Sequence, residues 1–128
     1  MELQKILLVD DEADIRLVAR MALEGFGGFA VEECSSGHEA LERASEVDPQ
    51  LILLDHMMPE LDGAGTLESL RASWGERLPP VVFLTGKTDA SEHERFLAAG
   101  AFAVIVKPFD PLTLAEQVRQ IWQRHQVQ

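Results

Sequence analysis

Five short apolar runs recur along the chain, each followed by a segment with helical spacing. The runs are Ile6-Leu7-Leu8-Val9, Phe29-Ala30-Val31, Leu51-Ile52-Leu53-Leu54, Val81-Val82-Phe83-Leu84 and Val104-Ile105-Val106. Four of them are continuously apolar rather than alternating, which is the pattern of strands covered on both faces in a parallel sheet. Between them, Ile15, Val18, Ala19, Ala22 and Phe26 fall on one helical face, and Gly27-Gly28 supplies a stop. Ser36-Gly37-His38-Glu39 reads as a capping box ahead of Ala40, Leu41, Ala44 and Val47. Leu67, Leu70 and Trp74 line a third helix. Ser91 with Glu94 caps a fourth, which carries Phe96 and Leu97 and closes at Gly100. Asp110-Pro111 offers a cap and a first-turn proline ahead of Leu114, Val118, Ile121 and Trp122.

Strict strand–helix alternation with short connections implies right-handed crossovers and a parallel sheet with helices on both faces. The expected fold class is therefore α/β: a three-layer, doubly wound (βα)5 sandwich. For five strands the flavodoxin-like order 2-1-3-4-5 is favoured over the Rossmann order. A chain of 128 residues, 46% hydrophobic and without linker or repeat, suits one domain over 1–128.

In such sheets reactive groups gather at the carboxyl ends of the strands, beside the switch in strand order, here between the first and third strands. The first strand ends in Asp10-Asp11-Glu12, the third in Asp55, the fourth in Thr85-Gly86 and the fifth in Lys107-Pro108. Each of these residues alone suits a cap or turn; together they converge on one rim. Carboxylates about 5 Å apart repel by roughly 3 kcal/mol at an effective dielectric near 20. Such a cluster takes up protons, binds a cation or strains the fold. Hard oxygen ligands without His or Cys suit Mg2+ (or Mn2+). Asp55 is then a carboxylate nucleophile for an aspartyl phosphate, with Lys107 salt-bridging it at rest and meeting phosphate charge later. The Thr85 hydroxyl and nearby backbone N–H groups are placed to hydrogen-bond the transferred group, and Gly86 lets the backbone come close.

Charge narrows the partners. With 22 acidic and 11 basic residues the net charge is −11, which repels nucleic acid and anionic lipid. No stretch approaches the roughly 18 apolar residues of a membrane span, and MELQKILLVDD is no signal peptide. Lone Cys34 has no internal disulfide partner and fits a reducing cytoplasm. The four histidines show no metal-ligand spacing and read as surface residues.

These residues together resemble the receiver domain of bacterial response regulators in two-component signalling, over about Lys5 to Gln123. The resemblance rests on Ile6-Leu7-Leu8-Val9-Asp10-Asp11-Glu12, Asp55-His56-Met57-Met58-Pro59 with Asp62-Gly63, Thr85-Gly86 and Lys107-Pro108-Phe109, in this order at successive strand ends. It implies Asp55 as phosphoacceptor, Asp11 and Asp55 as direct Mg2+ ligands, Asp10 acting through water and the Met57 backbone carbonyl completing the set. It implies Thr85 as the switch hydroxyl and a cis Lys107-Pro108 bond. It implies a sensor histidine kinase or histidine phosphotransfer protein as donor. The output is a downstream protein target or an effector domain outside this chain, reached by changing the surface of the fourth helix, fifth strand and fifth helix. A weak dimer through the C-terminal helices is part of the same expectation. The chain is then a signalling switch, not an enzyme, whose only chemistry is self-phosphorylation and autodephosphorylation at Asp55.

One position departs from the pattern. The family's switch aromatic usually sits three residues before the lysine, where this chain has Val104, and there is no tyrosine anywhere. By strand alternation Phe102 shares the face of Val104, though not its depth, so the output leans either on Phe102 or on backbone shifts of the loop between the fourth strand and the fourth helix. Lys87, two residues after Thr85, is a second candidate cation near the site. Other readings stay open. An aspartyl-nucleophile phosphohydrolase of the haloacid-dehalogenase type would want a second Asp where Met57 stands. A flavodoxin would want a Ser/Thr/Gly-rich phosphate loop where Asp10-Asp11-Glu12 stands. A phosphorylation-independent receiver-like interaction module would need none of the acceptor, metal and lysine residues that are present.

Overall fold

Each apolar run contributes to a strand, and the strands pair only in parallel. The computed structural model describes residues 1–86 and 90–127. Its elements are β1 (Lys5–Val9), α1 (Ala13–Gly27), β2 (Ala30–Cys34), α2 (Gly37–Val47), β3 (Leu51–Asp55), α3 (Gly63–Trp74), β4 (Val81–Thr85), α4 (Ala90–Ala98), β5 (Ala103–Val106) and α5 (Leu114–Gln126). The sheet order is β2-β1-β3-β4-β5, the flavodoxin-like order expected from the sequence. Strand periodicity of two divides the core. Ile6 and Leu8 of β1 point to the layer packed by Ala19 and Leu23 of α1 and Val118 and Trp122 of α5. Leu7 and Val9 point to the opposite layer, packed by Ala40 and Ala44 of α2, Leu67 and Leu70 of α3 and Phe96 of α4. β3 and β4 are buried at every residue, as unbroken apolar runs in a central position require.

Several local expectations are corrected. Phe29 precedes β2, which instead runs on through Glu32 and Glu33 to Cys34. The charges are tolerated at this sheet edge because Arg43 pairs with Glu32 at 3.0 Å, while Arg16 and Arg20 pair with Glu33 at 3.1 and 2.8 Å. In α1 the buried residues are Ala19, Ala22 and Leu23; Val18 and Phe26 face solvent. Ser91 lies inside α4, which starts at Ala90, and so is not its cap. Asp110-Pro111 opens a turn rather than the helix: the Asp110 carboxylate accepts from Leu112 N at 2.9 Å, and α5 begins at Leu114.

Phe102 does not share the face of Val104. β5 starts only at Ala103, so strand alternation does not reach back to Phe102. Its ring packs 5.1 Å from His125, against the layer built by α1 and α5, whereas Val104 packs against the layer of α2, α3 and α4. It also stands at the amino end of β5, opposite the acidic rim. Lys87 falls outside the described residues.

Candidate functional site

The rim forms because three strands end in register. Val9 pairs with Leu54, and Asp55 with Leu84, so the loop after β1 and the last residue of β3 open side by side. Asp10 N donates to Cys34 O at 3.1 Å, carrying the chain one residue beyond β1 before it turns. The Asp10 carboxylate then accepts from Glu12 N at 2.9 Å, an Asx-type turn that bends the chain toward α1. Arg16, from the first turns of α1, donates to the Asp10 carbonyl at 2.7 Å and pins the loop. Below Asp55, the loop closes on itself: the His56 carbonyl accepts from Met58 N at 3.1 Å and Gly63 N at 2.9 Å. Asp62 caps α3 through Gly65 N at 2.8 Å.

Asp10 is fully buried and Asp55 is 3% exposed, while Asp11 faces solvent. One carboxylate oxygen from each of the three lies within 4.8 Å of the others. Lys107 reaches across from the end of β5, its backbone N–H donating to Thr85 O at 2.7 Å. Its ammonium donates to Asp10 Oδ2 at 2.8 Å and to Asp55 Oδ1 at 3.2 Å, with Glu12 at 3.9 Å. The resting salt bridge is therefore shared, and is shorter to Asp10 than to Asp55. The Lys107–Pro108 peptide is cis. Thr85 is buried at the end of β4. A Cβ at Gly86 would meet nothing within 4 Å among the described residues. The Met57 side chain is turned to solvent.

Two charges and burial compete at Asp55. Burial pushes its carboxyl up to about 6; the charge of Asp10 adds to this and Lys107 pulls against it. Burial works against the Lys107 ammonium, but the hydrogen bond and charge of Asp10, then those of Asp55, outweigh it and leave its pKa raised. One oxygen, Asp55 Oδ2, is buried without a hydrogen-bond partner among the described residues. A buried anionic oxygen with no donor is costly unless a cation or transferred group meets it.

Sequence reasoning missed two features. Arg16 carries no rim motif, and only its place about one turn into α1 could have pointed to the Asp10 carbonyl. His56 was expected at the surface. Its ring instead lies 6.0 Å from Phe83 and 4.8 Å from Phe96, because the chain leaves strand geometry directly after Asp55.

Residues 6–119 match the profile of the response regulator receiver domain. The chain is 39% identical over 124 residues to the probable transcriptional regulator ycf27 of Porphyridium aerugineum, covering 97% of this chain and 50% of that protein. It is 38% identical over 120 residues to the transcriptional regulatory protein ResD of Bacillus subtilis, covering 94% and 48%. The chain thus spans about half the length of the curated relatives it matches. Among solved structures, the chemotaxis response regulator CheY4 of Vibrio cholerae superposes with a TM-score of 0.85 at 30% identity, covering 93% of this chain and 98% of that one. A receiver domain protein of Methanospirillum hungatei gives 0.84 at 28% identity, covering 98% of each. The parallel sheet in the order 2-1-3-4-5 and this sequence match together establish that the chain belongs to the response regulator receiver domain family of two-component signalling.

Proposed function

We propose that Asp55 accepts a phosphoryl group from a phosphohistidine donor, a sensor histidine kinase or a histidine phosphotransfer protein, and that residues 1–128 act as one receiver unit. The observation that carries this reading is Asp55 Oδ2, buried at the carboxyl edge of the sheet beside Asp10 and Lys107 with no hydrogen-bond partner among the described residues. A carboxylate oxygen of Asp55 attacks phosphorus, the P–O bond forms as the P–N bond breaks, and the donor nitrogen leaves with the electron pair. With a carboxyl raised to about 6, Asp55 is mostly ionised at neutral pH and available as the nucleophile.

Among the described residues the donor set fits Mg2+ or Mn2+: three carboxylates with no nitrogen or sulfur, one of them with an oxygen that has no hydrogen-bond partner. Asp10, Asp11, Asp55 and the Met57 carbonyl would hold the ion, and when bound it supplies positive charge against the phosphoryl oxygens. Lys107 is free to exchange part of its contact with Asp55 for a phosphoryl oxygen while keeping Asp10. The Thr85 hydroxyl, one strand away, serves as the hydrogen-bond donor to the transferred group, and no described residue lies within 4 Å of a Cβ placed at Gly86. Phosphorylation then biases an equilibrium between two arrangements of the α4-β5-α5 surface, which a downstream protein or an effector domain reads. The surrounding compartment in this reading is the cytoplasm, and the net charge of −11 disfavours nucleic acid as a direct ligand of this chain.

Acetyl phosphate with Mg2+ should add one acid-labile phosphate, seen by intact mass, and none in Asp55→Asn. The same adduct in that variant would remove Asp55 from the role. Titration of Asp11→Ala should show weakened Mg2+ binding; unchanged affinity would remove Asp11 from the ligand set.

A further inference from the structure

A phosphoryl switch at Asp55 needs a physical route to α4, and the aromatic residues of this chain lie in an unusual place for one. Val104 stands in register with Phe83 but contributes no ring. The rings come from three other elements. His56 follows Asp55 directly, Phe83 lies on β4 two residues before Thr85, and Phe96 is the buried side chain of α4. Their centroids are 6.0 Å (His56–Phe83), 4.8 Å (His56–Phe96) and 4.6 Å (Phe83–Phe96) apart, with tilted or edge-on planes, the geometry that favours aromatic attraction.

His56 has little slack at either end. Its carbonyl is bonded by Met58 N and Gly63 N. A Cβ at Gly63 would stand 2.6 Å from both Asp55 O and Phe83 Cε1 and 2.7 Å from His56 Cα, so α3 is packed hard against this corner. A shift of the backbone after Asp55 therefore moves the ring, and close-packed rings pass such shifts on rather than absorb them.

We propose that the His56–Phe83–Phe96 ring cluster couples the state of Asp55 to the position of α4, with His56 as the positioning residue. The coupling rests on the reading of Asp55 as phosphoacceptor. His56 works as an apolar plate rather than a ligand: its Nδ1 is buried with no hydrogen-bond partner among the described residues. His56→Leu removes that orphaned atom and keeps most of the volume, so the fold tolerates it.

Hydrogen exchange of the full chain in Mg2+, with and without beryllofluoride as a phosphoryl mimic, tests the coupling through peptides covering Ala90–Ala98. In the wild type, exchange across α4 should change by about fivefold or more, the lower edge of ordinary coupling strengths. His56→Leu and Phe96→Leu should reduce that change to below about twofold. Trp122→Phe, a ring change in the opposite core layer, should retain it, and Phe96→Leu should still gain one phosphate from acetyl phosphate. A full α4 response in both cluster variants, or an equal loss in Trp122→Phe, overturns the coupling. A wild type that takes up phosphate without any α4 response overturns the coupling alone. A wild type that takes up no phosphate removes the acceptor reading and the coupling with it.

Discussion

The charge of Asp55 works against the fold that holds it. Its carboxyl is raised to about 6 from an ordinary 3.8, chiefly by burial and then by Asp10. Between those values the folded chain keeps a proton that the unfolded chain has released. The contribution of Asp55 to stability therefore falls as pH rises through about 4 to 6 and is gone above that window. Asp55→Asn, with metal removed by EDTA, should gain on the order of 2 kcal/mol at pH 7.5 and almost nothing at pH 4. Urea unfolding at the two pH values reads this directly, and an equal gain at both would contradict it. Lys107 carries the opposite sign. It is the ammonium between two buried carboxylates, at 2.8 and 3.2 Å. Lys107→Met should cost about 3 kcal/mol at pH 7.5, because it leaves buried anions uncompensated. The loss should shrink by pH 5, where Asp55 holds its proton; a pH-independent loss would point to packing instead.

Between residue and fold, the helices and loops show what local sequence can and cannot specify. The capping signal at α2 is specific: Ser36 Oγ accepts from Glu39 N at 3.0 Å, and the Glu39 carboxylate returns to Ser35 N at 2.6 Å. Ser36→Ala should lower stability by about 1 kcal/mol in thermal or urea unfolding. The loop after β3 carries an opposite case, since Glu60 has φ 68, a region that favours glycine. Glu60→Gly should stabilise by roughly 0.5–1 kcal/mol, and no change would mean that local bonding already offsets the strain. The strands and four of the rim ends were legible because each rim residue directly follows an apolar run, so a strand assignment places it automatically. Angular position was less legible. Phe26 has the right spacing for the α1 stripe but lies near the end of the helix, where it faces solvent. Alternation carried back from Val104 fails at Phe102 because β5 begins only at Ala103, and Phe102 packs in the other layer. Glu32 and Glu33 resemble loop residues until arginines from α1 and α2 cover them, a tertiary pairing with no local signal.

For the molecule as a whole, 22 acidic against 11 basic residues mean that any cation relieves some repulsion, so a stabilising effect of Mg2+ is informative only with a control. Diffuse relief is screening: it depends on ionic strength, and charges further apart than about 8–10 Å contribute little at ordinary salt. Site binding would differ, because the ion would bind the folded chain, where Asp10, Asp11 and Asp55 offer oxygens within 4.8 Å, and not the unfolded one. The stabilisation then grows as RT ln(1 + [L]/Kd), about 2.7 kcal/mol at a hundredfold excess over Kd. Thermal unfolding in MgCl2 should therefore exceed that in NaCl of matched ionic strength, and the excess should rise logarithmically with Mg2+ concentration. Asp11→Ala should lose most of the excess yet keep the NaCl response, because Asp11 is exposed and its removal leaves the buried Asp10–Lys107–Asp55 contacts in place. Equal curves for the two salts would assign the whole effect to net charge. An excess that survives in Asp11→Ala would move the metal to other oxygens.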